Sequence, residues 1–419
     1  MQKINFEVLH KNFKEFLPGN LNRTLSFLDD IGRPQDSINN IIHVAGTNGK
    51  GSVISFIKSC LLRNRATVNA FISPHLFRLN ERIFIKNEII DDKTLADTIE
   101  FLLPLSKKES ISFFEFISVC AIFLFNKNKG DWNLFEVGMG GKFDATNILP
   151  KKDLAIITPI SYDHENFLGD NIFKIANEKI GITNNQIPTV VGPQPDILVD
   201  YLLKNFLNKP KKRFIYDIDW TVIKKKDNFY YEDNNETIKI DIPFMNGQHQ
   251  IMNAATAIAA ISVLKKQKKI KIKTDLIEDA IASTQWQGRL EKINYKNSSI
   301  ELWIDSCHNP SGAKVISSEM IKMNSEEKKD MNLIFSLKRG KKIRNFLLPF
   351  EGVFKKIEYL QFTDDHYSYS EIIENIGEMN FNISYINKLT QSLILQKNHV
   401  SRVLICGSIP LVAEVMDTF

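Results

Sequence analysis

The stretch IIHVAGTNGKGSVISFI, residues 41–57, constrains this chain more than any other. Ile41, Ile42, Val44 and Ala45 make a short, mostly β-branched apolar run, as expected of a parallel strand buried on both faces. Val53, Phe56, Ile57, Cys60 and Leu61 then recur at three- and four-residue steps and trace one face of a helix. Gly46 to Ser52 therefore joins a strand end to a helix start. At such a junction the free N–H groups and the helix dipole favour an anion, glycine lets the backbone approach it, and Lys50 adds a positive charge. A nucleotide triphosphate is the guest this arrangement suits. The usual phosphate-loop pattern G-x-x-x-x-G-K-[ST] is not met, because Val44 replaces its first glycine and Gly51 separates Lys50 from Ser52. The plainer alternative is a glycine-rich turn with a solvated lysine.

Further β-rich runs follow at 67–73, 132–138, 154–160 and 189–192, separated by helical patterns. Alternation of this kind predicts a doubly wound, mostly parallel sheet, whose ligands bind beyond the carboxyl ends of the strands. Ser73 closes the first run, Glu136 lies near the end of the second, and Asp163 with His164 follows the third, so all are expected on the side of Gly46 to Ser52. Residues 213–244 alternate aromatic and charged residues around turn signals and read as antiparallel hairpins. An alanine-rich helix is expected at 249–264, and new strand-like runs at 301–305, 331–337, 356–362 and 402–407 predict a second, smaller α/β domain starting near 288. At 419 residues the chain is too long for one ordinary core, which agrees with two domains, 1–287 and 288–419.

The bulk numbers exclude more than they specify. A formal charge of +5, from 54 basic against 49 acidic residues, is too small to argue for nucleic acid, and the lysine-rich stretches 204–213 and 265–273 read as solvated surface. Cys60, Cys120, Cys307 and Cys406 show no metal-ligand spacing and read as reduced core thiols of a cytoplasmic protein. Residues 1–16 lack the apolar core of a signal peptide. The run FFEFISVCAIFLF, 113–125, is too short to span a bilayer and reads as a buried helix.

Seven motifs then fall in one order: HVAGTNGKGS, SPHL at 73–76, EVGMGGKFDATN at 136–147, DHENFLG at 163–169, IANEKIGI at 175–182, WQGRLE at 286–291 and DSCHNP at 305–310. This order resembles folylpolyglutamate synthase and dihydrofolate synthase, members of the Mur ligase superfamily, from about residue 20 to 415. The resemblance implies a P-loop-containing domain of the Mur ligase central type followed by a smaller Rossmann-like domain. It also implies ATP-dependent, ADP-forming coupling of a pteroate or folate carboxylate to L-glutamate by a monomer, with magnesium as cofactor. A carboxylate does not acylate an amine at neutral pH, so such a ligase first phosphorylates it, and cations and oriented dipoles must stabilise the meeting of two anions.

By resemblance, Thr47, Asn48, Gly49, Lys50, Gly51, Ser52, Asn253, Arg289, Asp305 and His308 take the nucleotide. Ser52 is also the loop hydroxyl suited to the metal, and Ser73, Glu136 and His164 match the family's other ligands. Lys50, Glu136, His164 and Lys179 form the implied catalytic set. Lys179 matches a lysine that is carbamylated in the family, which requires a neutral amine and hence burial; its isoleucine neighbour replaces the family's alanine, and a helix-surface lysine is the alternative. Ser112, Phe113, Phe114, Glu115, Phe143, Asp144 and Ala145 match pterin-contacting segments. Phe113 and Phe114 read equally as core, whereas an unpaired buried Glu115 would be costly and is suited to accept from a pterin amino group. Where the family often carries an acidic D-K-D stretch, this chain has SLKRGKK at 336–342. A cell-wall ligase with its extra leading domain is disfavoured, since 45 residues precede Gly46; a nucleotide-dependent switch without acyl chemistry would not need Glu136, His164 or Asp305.

Overall fold

The computed structural model describes residues 13, 20–108, 110–207, 213–295, 298–377, 379, 381–396 and 401–419. Apart from Phe13, the stretch 1–16 lies outside the described residues, as does 208–212 of the first lysine-rich stretch. Two compact units emerge. The first comprises Met1–Ser161, Phe167–Pro243 and Ile251–Thr284, and the second Tyr162–Asn166, Phe244–Gln250 and Gln285–Phe419. The short segments 162–166 and 244–250, expected with the first domain, thus group with the second. Two contacts show why: Asp163 pairs with Lys341 at 2.6 Å, and the Gln248 amide donates to Glu319 Oε1 at 2.7 Å.

In the first unit an eight-stranded sheet contains β1 (Ile41–Ala45), β2 (Val68–Phe71), β3 (Ile83–Ile85), β4 (Glu88–Ile89), β5 (Trp132–Glu136), β6 (Lys152–Ile157), β7 (Thr189–Val191) and β8 (Arg213–Ile215). Their order is β4-β3-β2-β5-β1-β6-β7-β8, with β3 and β4 antiparallel and the others parallel. Every residue of β1, β2 and β5 is buried, as a sheet covered on both faces requires. His43 interrupts the apolar run of β1 without leaving the core, because its Nε2 lies 2.8 Å from the Thr146 hydroxyl. The antiparallel hairpins expected at 213–244 appear as β9 (Trp220–Lys224), β10 (Asn228–Asp233) and β11 (Thr237–Asp241), while Arg213–Ile215 instead extends the main sheet.

The helix Phe113–Lys127 is set by a capping box between Ser112 and Glu115. It buries Phe116, Ile117, Cys120 and Phe125 in the main apolar cluster, where Phe116 stacks 6.4 Å from Phe27. No helix among the described residues is long and apolar enough to cross a membrane. All four cysteines are buried free thiols. The lysines at 265–269 are not simply solvated: Lys265 pairs with Glu236 at 2.7 Å, Lys266 with Asp233 at 3.1 Å, and Lys269 with Asp153.

The second unit holds β12 (Glu291–Ile293), β13 (Ile300–Ile304), β14 (Asp330–Phe335), β15 (Lys356–Leu360), β16 (Ile383–Ile386) and β17 (Ser401–Cys406) in the order β12-β13-β17-β14-β15-β16. All pairings are parallel except β12 with β13.

Phe116 has no exposed surface and, among the described residues, meets the rings of Phe13 and Phe27. Phe116→Ala is expected to destabilise the first unit by about 3–5 kcal/mol, read from urea denaturation followed by circular dichroism. A loss below about 1 kcal/mol would contradict its place in the core.

Candidate active site

Parallel register assembles the site in the first unit. Val44 of β1 stands opposite Glu136 of β5, and Phe71 of β2 opposite Phe135, so the strands end together. Glu136 is 4% exposed; its Oε2 accepts the Ser73 amide at 3.1 Å, and Lys50 Nζ lies 3.9 Å from its Oε1. The strand-end reading of Ser73 and Glu136 thus describes two groups in contact. His164 belongs to the second unit.

The glycine loop is held by its own neighbours. The Thr47 and Asn48 amides donate to the Pro159 carbonyl at 2.9 and 3.3 Å, and the Thr47 hydroxyl exchanges two 3.0 Å hydrogen bonds with the backbone of Ser161. Those two amides are therefore spent, and an anion would meet the first-turn amides of the helix Lys50–Arg63, which cannot be paired inside the helix. Gly49 has φ +84°, and a Cβ there would fall 2.4 Å from Asn253 Oδ1. Gly46, at φ +150°, leaves no room either, because a Cβ would meet Thr158 Oγ1 at 1.8 Å. The same packing sets buried Asn253 against the loop. Lys50 folds back, donating to the Gly46 and Thr47 carbonyls at 3.3 and 3.2 Å. Lys179 is buried, not a helix-surface residue, and donates to the same Gly46 carbonyl at 2.9 Å.

The oxygen donors Ser52, Ser73 and Glu136 fit a hard divalent cation, which prefers oxygen ligands and keeps several others from water or phosphate. Among the described residues no group of three or more His, Cys, Asp or Glu forms a self-sufficient metal cluster.

Two carboxylates expected at a pterin site have structural partners. Glu115 is buried but not unpaired: Oε1 accepts Arg23 Nε at 2.7 Å and the Thr24 hydroxyl at 3.0 Å, and Oε2 accepts the Ser112 amide at 2.7 Å. Asp144 accepts the amides of Gly138, Met139 and Thr146 and the Thr146 hydroxyl, pinning the loop 138–146. Burial raises its pKa despite those four donors. Phe113 and Phe114 are half-buried; Phe113 meets Phe13 edge-on, and Phe114 tilts against Phe71 at 5.8 Å. Phe143 is exposed beside Lys142, and Ala145 is buried.

Sequence patterning does not flag Arg23 or Arg82, and gives no role to His75 within SPHL. Arg82 Nε donates to His75 Nδ1 at 2.9 Å, and its guanidinium lies 5.8 Å from the Phe113 ring centre. Burial, reinforced by Arg82, lowers the His75 pKa to about 4.

In the second unit, Asp305 clasps its own chain: Oδ2 accepts the Leu290 amide at 2.8 Å and Oδ1 the Cys307 amide at 2.7 Å. This holds Leu290 at φ +40° and orients the half-buried Arg289 before it. Asp163 gathers Lys341 at 2.6 Å, Asn309 Nδ2 at 3.1 Å and His308 Nε2 at 3.6 Å, and its Oδ1 accepts the amide of His164, whose φ is +52°. Burial opposes ionisation of Asp163, yet His308, His164 and Lys341 hold its carboxyl well below the usual range. The lysines of SLKRGKK are likewise engaged, Lys341 by Asp163 and Lys342 by Glu165 at 2.5 Å.

The Mur ligase middle domain profile matches residues 44–261. Dihydrofolate synthetase of Saccharomyces cerevisiae is 30% identical over 344 residues, 78% of each chain. The chain belongs to the Mur ligase family, in its dihydrofolate synthase/folylpolyglutamate synthase branch. The dihydrofolate synthase/folylpolyglutamate synthase of Bacillus subtilis is 27% identical over 424 residues, covering 97% of this chain and 96% of the relative. In fold, the family member is similar to E. coli FolC in complex with DHPP and ADP, with TM-score 0.87, 24% identity and coverage of 98% and 96%. It is also similar to the Yersinia pestis bifunctional enzyme complexed with AMPPNP and Mn ion, with TM-score 0.86, 22% identity and coverage of 100% and 98%.

Removing Glu115 takes from Arg23, 17% exposed in this pair, the carboxylate that meets its Nε at 2.7 Å, and takes their acceptor from the Thr24 hydroxyl and the Ser112 amide. Glu115→Ala is expected to cost about 3–5 kcal/mol in thermal or urea unfolding. An unchanged stability with loss of pterin binding alone would restore the ligand role to this carboxylate.

Proposed function

We propose that the chain is an ADP-forming carboxylate–amine ligase that joins L-glutamate to dihydropteroate, to the glutamate tail of a reduced folate, or to both. A carboxylate oxygen of the acceptor attacks the γ-phosphorus of ATP, ADP leaves, and an acyl phosphate forms. The glutamate amine then attacks the acyl carbon, inorganic phosphate leaves, and the amine loses its proton. The observation that carries this reading is the juxtaposition of Lys50, Glu136 and the Ser73 amide at the end of the glycine loop.

Thr47, Asn48, Gly49, Lys50, Gly51 and Ser52 receive the triphosphate, with Asn253, Arg289, Asp305 and His308 serving the rest of the nucleotide. Arg289, half-buried, fits phosphate through its planar fork of donors. Ser52, Ser73, Glu136 and His164 would hold magnesium, which when bound neutralises charge on the phosphate oxygens. Lys50 screens the same oxygens. Residues 1–287 carry nucleotide binding and 288–419 the glutamate-ligase domain. Phe113, Phe114 and Phe143 offer rings to a pterin, while Ser112, Glu115, Asp144 and Ala145 shape its walls. Lys179 is carbamylated: two ammonium groups on the single Gly46 carbonyl crowd positive charge, which favours loss of a proton from buried Lys179, and the neutral amine then adds to carbon dioxide, losing a second proton and leaving a carbamate. The buried free thiols suit a cytoplasmic enzyme, which acts as a monomer as the family resemblance implies.

Phosphate release from purified protein with ATP, magnesium and glutamate is expected to rise when dihydropteroate, dihydrofolate or tetrahydrofolate is added. No rise with any of the three would refute the ligase. Lys50→Ala and Glu136→Ala are each expected to lower turnover by at least about a hundredfold while the far-ultraviolet spectrum stays native.

A further inference from the structure

We infer that Arg82 receives the carboxylate of the aromatic acid that this ligase activates, and so decides that the acceptor must be an acid. The inference rests on the ligase reading above and adds to it a residue that none of the motifs supplies. Arg82 ends the 3₁₀ turn Leu79–Arg82, and its carbonyl accepts the Ile72 amide at 2.9 Å. Its backbone is thereby tied to the residue before Ser73, whose own amide lies on Glu136. The side chain thus leaves the chain near the end of the strand that carries Glu136, whose charge it feels.

Its partners are unusual for a guanidinium withdrawn from water. The single hydrogen bond it makes among the described residues runs from Nε to His75 Nδ1. A ring nitrogen that accepts a hydrogen bond carries no proton, so this imidazole brings the arginine no counter-charge. No ion pair to Arg82 exists among the described residues, and its two terminal nitrogens have no protein acceptor there. Burial brings the guanidinium pKa down to about 10, opposed by the charge of Glu136, so it stays cationic at neutral pH. A half-buried cation whose terminal nitrogens meet no acceptor among the described residues, with only the charge of Glu136 at longer range opposing its burial, is costly unless a ligand supplies a partner.

The two terminal nitrogens form a planar fork that matches a carboxylate in bidentate fashion. Phe113 lies beneath the guanidinium, and exposed Phe77 belongs to the same 73–82 segment, so the surroundings favour a carboxylate borne on a flat ring. An acid held by this fork would also have part of its charge neutralised before it meets the γ-phosphate.

The test is equilibrium binding to the full-length protein, followed by ligand fluorescence, of pteroate and of its carboxamide, in which the acid alone is changed. Wild type is expected to prefer the acid by about tenfold or more. In Arg82→Gln that preference should fall to within about twofold, with affinity for the amide and for a non-hydrolysable ATP analogue unchanged, and Arg82→Lys should restore part of it. Equal losses for acid and amide, an unaltered preference, or a loss confined to the ATP analogue would each overturn the role given to Arg82 and leave the ligase intact. Wild-type protein that binds neither acid nor amide would overturn the ligase reading, and the inference with it. Melting temperatures of both variants establish that the fold survives.

Discussion

The parallel pairing of β1 with β5 places Val44 opposite Glu136 and so plants a buried carboxylate two residues from the start of the glycine loop. A carboxylate withdrawn from water needs positive neighbours, and the fold supplies them from three separate strand ends: the Lys50 ammonium, the Ser73 amide and, at longer range, Arg82. The loop conformation is then forced by contacts on its other side. Thr158 and Asn253 leave no space for a side chain at Gly46 or Gly49, and the Pro159 carbonyl takes the amides of Thr47 and Asn48. What the loop presents is accordingly narrow: the first turn of one helix and two lysines sharing one carbonyl.

Much of this architecture is legible in the sequence because burial on both faces writes itself as β-branched runs. β1, β2, β5, β6 and β7 fall inside the segments where such runs occur, as do β13, β14, β15 and β17 of the second unit. The elements that escape are those whose surroundings are mixed. β12 is three residues with no fully buried position, and β16 exposes Ser384 and Tyr385, so neither shows a period. β3 and β4 are too short for any pattern.

The site was legible where chemistry coincides with a strand end, as at Ser73 and Glu136, and illegible where a partner is distant in sequence. Glu115 reads as a costly orphan until Arg23, 92 positions away, is seen to satisfy it. Arg82 looks like any solvated charge within RLNER, since nothing in the chain announces that its neighbour will be a neutral imidazole. Asp163 was visible as a strand-end acid, yet its hold on Lys341 and Asn309 spans 178 and 146 positions. Helix and strand periods carry information over a few residues, and ion pairs of this reach lie beyond them.

The basic stretch 336–342 has a consequence for how the chain can vary. Lys341 and Lys342 meet Asp163 and Glu165 as two matched couples. Reversing the charge of Lys341 and Lys342 alone would set carboxylate against carboxylate, whereas exchanging both sides together would keep the two couples, so 162–166 and 338–342 act as one electrostatic clasp despite the length of chain between them.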